Sequence, residues 1–137
     1  MIRRLLVLAC AAVFLSGCTL PGGASSGCAR ELPTLEPPRG TPGGTFVVSG
    51  GGFGGGCDDS SLPFRPDPPQ QDVRIIMRQE GGTWHLATVD ADPEYRVRET
   101  LEVPQDARSG RALVVIPDPY AAKPMKVPFE VLGDGSG

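Results

Sequence analysis

Glycine and proline occur so often in this chain that little of it can form a helix. The 137 residues include 19 Gly and 15 Pro. Together these make roughly a quarter of the chain, the edge of the range typical of low-complexity sequences. Beyond residue 18, no stretch of a dozen residues is free of both. Because Pro breaks helices and Gly weakens them, we expect short strands joined by turns.

Six short strand-like runs lie between these turn residues. Five alternate apolar and polar residues, and the run 111–116 is apolar on both faces, as expected of a central strand. In one of them, Val73, Ile75 and Met77 share a face, which is typical of a strand with one buried side. Pro128, on the outward side of the last run, indicates an edge strand or a strand end. The runs cover residues 45–49, 72–79, 83–89, 95–103, 111–116 and 125–132, with a shorter one near 32–35. The pattern predicts an all-β fold, an antiparallel sandwich of about seven strands.

The first eighteen residues have the pattern of an export signal. Arg3 and Arg4 precede an uninterrupted apolar run from residue 5 to residue 15, as in the basic and apolar regions of secretory signals. A membrane-spanning helix needs about 20 apolar residues, so this run is too short to be one. Leu15, Ser16, Gly17 and Cys18 follow in sequence, and this ending resembles the lipobox of bacterial lipoproteins.

The lipobox resemblance implies a lipid anchor at Cys18. In that family the Cys thiol receives a diacylglyceryl group, the chain is cut before it, and the new amino terminus is often acylated. The alternative is an ordinary cleaved signal with a chance cysteine. We therefore expect a signal peptide with a signal helix at 1–17, a Gly/Ser-rich flexible tether at 18–30, the sandwich at 31–132 and a polar tail at 133–137. Membrane lipid, reached through the acylated Cys18, is the first expected partner, on the extracytoplasmic face of the cell membrane.

Removal of the signal makes the chain more acidic. Loss of Arg3 and Arg4 takes the net charge from −3 to −5. This charge argues against nucleic acid as a partner, because nucleic-acid-binding proteins carry basic patches. It also gives no electrostatic help in binding anionic lipid headgroups, so we expect the acyl chains to do the anchoring.

The four cysteines are expected to have different roles. Cys10 lies in the signal and Cys18 is the lipid site, which leaves Cys28 and Cys57. An even pair in an oxidising compartment predicts a disulfide between them. The alternative is two free thiols; a redox motif is disfavoured because no C-x-x-C spacing occurs.

Residues 42–53, PGGTFVVSGGGF, resemble the opening of IPT/TIG-type immunoglobulin-like domains. These begin with a Pro-Gly-x-Thr turn, an alternating strand and Gly-x-Gly-Phe, and we expect Phe46, Val48 and Phe53 to fill the core. The resemblance covers residues 31–132, apart from an extension at 54–59 and a Pro-rich loop at 61–71. It implies an immunoglobulin-like β-sandwich that serves as an extracellular adhesion, spacer or interaction module, and it supplies no catalytic residues.

The chemical candidates within the sandwich are weak. The Gly-rich stretch 50–56 lacks the Lys and Ser/Thr of a phosphate-binding loop and is interpreted as a turn. Acidic residues could offer oxygen ligands to Ca²⁺, but solvated turns are the favoured interpretation, so we predict no metal and no cofactor. These acidic residues are Asp58 and Asp59, and separately Asp90, Asp92 and Glu94.

Two strand residues and one loop complete the candidates. His85 is interpreted as a strand residue rather than a base, since no nucleophile elbow accompanies it. Trp84 is expected in the core, with an exposed binding contact as the alternative. Strict alternation in this run places Trp84, Leu86 and Thr88 opposite His85, Ala87 and Val89. The extended loop at 64–69 is interpreted as a spacer between the sheets, or else as a binding loop.

The sequence therefore favours a non-catalytic interaction or structural module held at a membrane. Its expected second partner is a protein or polymer of the cell envelope. One alternative is an envelope carrier for a small molecule or metal. The other is a cell-wall accessory enzyme with an acidic site around Asp58, Asp59 and Asp90.

Overall fold

The sandwich consists of eight strands and, over the described residues, no helix. The computed structural model describes residues 31–54, 67–119 and 121–133. Within these ranges no helix is long and apolar enough to cross a membrane. The strands are β1 Thr34–Glu36, β2 Arg39–Gly40, β3 Thr45–Gly51, β4 Val73–Gln79, β5 Gly82–Val89, β6 Arg96–Glu102, β7 Gly110–Ile116 and β8 Met125–Val131. The all-β prediction is confirmed.

The strands form two sheets whose order is that of an immunoglobulin-like sandwich. One sheet has the order β1-β3-β6, and the other has the order β2-β8-β7-β4-β5. Neighbouring strands are antiparallel, except that β2 runs parallel to β8. There are eight strands rather than seven because the sequence pattern does not predict β2, which lies beyond Pro37 and Pro38. β1 and β2 pair in different sheets.

The core lies between the two sheets and contains the apolar positions that the alternation predicts. Phe46, Val48 and Phe53 are each almost fully buried. The ring of Phe46 in β3 lies 4.6 Å, centroid to centroid, from the ring of Phe129 in β8. This contact joins the two sheets across the sandwich.

A β-bulge in β5 changes the side on which its later residues lie. Ile75 of β4 pairs with Ala87, whereas the next residue, Ile76, pairs with His85. Leu86 is therefore an extra residue on β5, and such an insertion interrupts the alternation. Beyond it, Ala87 and Val89 pack against the core while Thr88 is exposed. The predicted faces for residues 87–89 are thus wrong, since alternation alone cannot reveal a bulge.

Pro128 lies at an exposed edge, as predicted. The short strand β2 pairs with β8 only at Glu130 and Val131. The backbone N–H groups of Glu130 and Leu132 donate to carbonyls on the β2 side, so alternation places the position of Pro128 on the same side, beyond the end of β2. At the position of Pro128, a backbone N–H would point to the free edge and not toward β7. Proline therefore removes no hydrogen bond between β7 and β8.

Candidate functional site

The outer face of the five-stranded sheet carries a group of basic side chains. On β4, Val73, Ile75 and Met77 point into the core, so the intervening residues point outward. The same alternation on the neighbouring strands places further exposed basic residues on this side. We call this surface the basic face, and it consists of Arg39, Arg74, Arg78, Arg111 and Lys126.

The strand register shows that most of these charges lack an acidic neighbour in the paired position. Arg74 lies opposite Thr88, Arg78 lies between Thr83 and Leu113, and Lys126 lies opposite Val115. Only Glu130 faces basic residues directly, since it pairs with Arg111 on one side and Arg39 on the other. Arg74, Arg78 and Lys126 therefore lack an acidic partner across the strand pairs. At the ends of the strands, Asp67, Asp72 and Asp118 line a pocket with Arg74, and Glu80 lines the groove with Arg78.

The centre of the basic face is apolar. Val115 is only 1% exposed and lies outside the core cluster, to which both Val114 and Ile116 belong. It is instead covered on the outer surface, between Ile76 and Lys126 in the register. Leu113, on the same side of β7, is 37% exposed. The apolar side chain that this face offers to a partner is therefore Leu113, which lies beside Arg78.

An open groove lies at one end of this face. It has a volume of about 970 Å³ and runs along β4, β7 and β8. Leu113 and Pro128 are among its apolar lining residues, and Arg78, Arg111 and Glu80 are among the charged ones. Glu130 also lines it, so the groove has two basic and two acidic residues and can accept polar groups of either charge beside apolar ones.

Trp84 packs at the border of the core, in agreement with its predicted place. It is half-buried against the core cluster, and its indole Nε1 donates a hydrogen bond to Oδ1 of Asp106 at 2.9 Å. It also lines a small cavity of about 240 Å³ with Leu86 of β5 and Glu102 of β6. The indole N–H is thus already used within the protein.

His85 is an exposed strand residue, as predicted. Its Nε2 lies 2.8 Å from the hydroxyl of Thr88. The two residues are three positions apart, and they meet on one face because the bulge at Leu86 shifts the alternation. The imidazole is therefore paired with a hydroxyl on the sheet surface.

The acidic residues that the structure describes hold turns together. Oδ1 of Asp90 accepts the N–H of Asp72 at 2.9 Å. Oδ1 of Asp92 accepts two N–H groups, those of Glu94 at 3.0 Å and Arg96 at 2.8 Å. Within residues 31–54, 67–119 and 121–133, no group of three or more His, Cys, Asp or Glu side chains is placed to hold a metal.

The described part of the Gly-rich stretch belongs partly to β3 and partly to a turn. Gly50 and Gly51 pair with β6, and Gly54 forms an isolated bridge with Pro69. Gly54 has φ +110°, and a Cβ there would lie 2.7 Å from the carbonyl oxygen of Pro68. Only glycine tolerates both that conformation and that close approach.

Several predicted sites lie outside the described residues. These are the signal helix and tether, the rest of the Gly-rich stretch, residues 64–66 of the loop at 64–69, and the tail from 134 onward. The site residues among them are Cys18, Cys28, Cys57, Asp58 and Asp59.

The basic face is the feature that sequence reasoning missed. The outward positions of Arg74, Arg78 and Lys126 follow from alternation within single runs. Only the strand order shows that β4, β7 and β8 are neighbours. The net charge of the whole chain also gave no sign that basic residues are concentrated on one sheet face.

Comparisons with protein-family models, curated proteins and solved structures find no match for this chain. Its function is therefore inferred from its own residues.

Proposed function

We propose that this protein is a membrane-anchored lipoprotein of the extracytoplasmic face whose immunoglobulin-like sandwich acts as a non-catalytic binding module. The observation that carries the binding role is the basic face, where exposed Leu113 lies opposite Arg78 and two residues from Arg111. Apolar contact supplies affinity at such surfaces, and complementary charge supplies orientation and specificity.

The anchor is supported by the order of features at the amino terminus. Arg3 and Arg4, an apolar run and a small pair before Cys18 follow one another without interruption. Two acyl chains suffice for stable attachment where one gives only reversible binding. A Gly/Ser-rich tether then separates Cys18 from the first strand.

The resemblance to IPT/TIG-type domains supports an interaction role. The turn, strand and Gly-x-Gly-Phe of that pattern occur at residues 42–53. The burial of Phe46, Val48 and Phe53 fits the way such an opening would close a sandwich. The family implies adhesion, spacing or interaction rather than a reaction.

The two alternatives have less support. A carrier site usually encloses most of its ligand, whereas the groove beside Leu113 is open along the sheet surface. An acidic enzyme site would need Asp90, whose Oδ1 accepts the backbone N–H of Asp72. Partner capture from the cell envelope and an assay of wall-polymer turnover distinguish binding from catalysis.

Replacement of the proposed lipid site tests the anchor. We expect Cys18→Ala to move the protein out of the detergent phase when cell extracts are partitioned, because acylation then has no thiol. Cys10→Ala is the matched control, since Cys10 lies within the proposed signal and its loss leaves partitioning unchanged. Retention of Cys18→Ala in the detergent phase would show that the lipobox interpretation is wrong.

A further inference from the structure

We propose that the basic face docks on the anionic lipid headgroups of the membrane that holds the anchor. This inference rests on the proposed lipoprotein function and adds to it a second contact and an orientation. The partner is a lipid surface rather than a protein, and the contact residues lie on the outer sides of β2, β4, β7 and β8.

The two outer faces of the sandwich differ in charge. The outer face of the three-stranded sheet has two exposed arginines, Arg96 and Arg98, together with two exposed glutamates, Glu36 and Glu102. The basic face has five exposed basic residues. Its acidic neighbours are Glu130 on its strands, Glu80 in the groove, and Asp67, Asp72 and Asp118 around the pocket beside Arg74. The molecule is therefore electrically asymmetric although its net charge is negative.

The short range of screened charges decides which residues a membrane senses. The Debye length is about 8 Å at physiological ionic strength, and packed sheets lie about 10 Å apart before their outer side chains are counted. When the basic face touches a bilayer, the acidic residues on the opposite face are more than one Debye length away. The residues that the bilayer senses are then those of the basic face, whose outward strand positions carry five basic residues and Glu130, together with the acidic residues at its two ends.

The apolar centre of the face suits the same partner. Leu113 is exposed where it can enter the headgroup layer, and the partly exposed Ile76 on the neighbouring strand adds apolar surface on the same side. Arg and Lys side chains lay their aliphatic stems along apolar surface and keep their charges in the polar layer. Interfacial binding combines these two contributions, buried apolar area and attraction to anionic lipid.

The tether favours the membrane over a diffusing partner. The proposed tether has nine residues between Cys18 and Cys28, and a Gly/Ser-rich chain of that length spans roughly 16 Å on a random-coil estimate. An anchor this close keeps the sandwich at a high effective concentration of headgroups, so a weak contact is enough to orient it. A soluble polymer or protein has no such advantage.

Tryptophan placed on the two outer faces tests the docking. The full lipid-modified protein is reconstituted into vesicles of phosphatidylcholine, alone or enriched in phosphatidylglycerol, with acyl chains brominated near the headgroup. Relative to the parent protein, we expect the emission of Leu113→Trp to be quenched several-fold more in anionic than in neutral vesicles, and the difference to vanish at high salt. Thr100→Trp, on the opposite outer face, stays unquenched. Equal quenching at both positions, or no dependence on headgroup charge, overturns the proposal.

Charge reversal supplies a matched control. We expect Arg74→Glu with Arg78→Glu, introduced into Leu113→Trp, to abolish the quenching. Arg96→Glu with Arg98→Glu makes the same change in net charge on the other outer face and leaves it intact. Thermal melting of both variants checks that each is folded. An equal loss from both pairs means that net charge, not this face, is responsible, and the docking is wrong.

Two further readouts separate the outcomes. Flotation with neutral vesicles reports the lipid anchor alone. If the protein does not float, the proposed lipoprotein function is contradicted. If it floats but Leu113→Trp is not selectively quenched, the docking is contradicted. Soluble polyphosphate is added to the neutral vesicles as a competing partner. If it shifts the emission of Leu113→Trp more than anionic lipid does, the face binds a polymer and membrane docking is wrong.

Discussion

The single tryptophan of the chain is held in place by a glycine two residues before it. A Cβ at Gly82 would collide with the indole ring of Trp84, so the ring lies over the bare backbone of Gly82. The hydrogen bond from Nε1 of Trp84 to Asp106 fixes the other side of the ring. Gly82 is thus required for space, whereas its neighbour Gly81 has φ +82° and serves the turn.

We predict that Gly82→Ala displaces the indole and lowers the free energy of unfolding by about 1–2 kcal/mol, in the range of overpacked sites. Intrinsic fluorescence reports the displacement directly, and urea denaturation reports the stability. Gly51→Ala is the control, because a Cβ there would meet nothing within 4 Å. If the loss persists unchanged in a Trp84→Leu background, contact with the indole is not its cause.

At the scale of strands, β6 is a long edge of the three-stranded sheet. The N–H and C=O of Arg96 on this edge are satisfied by Asp92, which protects its first residue. Further along, Glu99 is half-buried on the side of the strand that also carries the buried Val97 and Leu101. A charge that points inward on an edge strand hinders pairing with a second chain. Glu99 therefore acts against edge-to-edge association.

We predict that Glu99→Val promotes association through β6, because its core-facing side then becomes continuously apolar. Sedimentation velocity should show a concentration-dependent dimer that the parent protein lacks under the same conditions. Thr100→Val adds the same side chain to the outer side of the strand and should leave the protein's association unchanged. Dimerisation of both variants, or of neither, would contradict a specific role for Glu99.

At the scale of the whole molecule, charge and chain ends are both arranged asymmetrically. Basic residues are concentrated on the outer face of the five-stranded sheet, although the net charge of the chain is negative. Pro33, just before β1, lies against Gly50 near the end of β3: a Cβ at Gly50 would be 3.3 Å from Cα of Pro33. The chain segments that lead toward Cys28 and Cys57 therefore leave the sandwich at the same end.

We predict that a Cys28–Cys57 disulfide closes a loop of about 30 residues and contributes roughly 3.5 kcal/mol by restricting the unfolded chain. Reduction of the mature protein should therefore lower its urea midpoint, and intact-mass analysis should show the gain of two hydrogens. A Cys28→Ser, Cys57→Ser variant should be insensitive to reductant. Alkylation of two thiols without reductant would rule out the bond.

The positions of most strands and many core residues could be predicted from the sequence. Turn residues bound the runs, and the alternation within each run selects the buried side, as at Phe46, Val48 and Met77. Pro128 indicated an edge because it lacks an N–H to donate. These are local signals, since each depends on a residue and its immediate neighbours along the chain.

The tertiary structure alone decided which runs became neighbours. Three features depend on pairing between distant segments: the bulge at Leu86, the pairing of the short β2 with β8, and the meeting of Arg74, Arg78 and Lys126 on one face. Alternation specifies the side of a strand but not its partner or register. The sequence by itself thus determined that the chain folds as a sandwich, and the pairing of its strands decided which surface became basic.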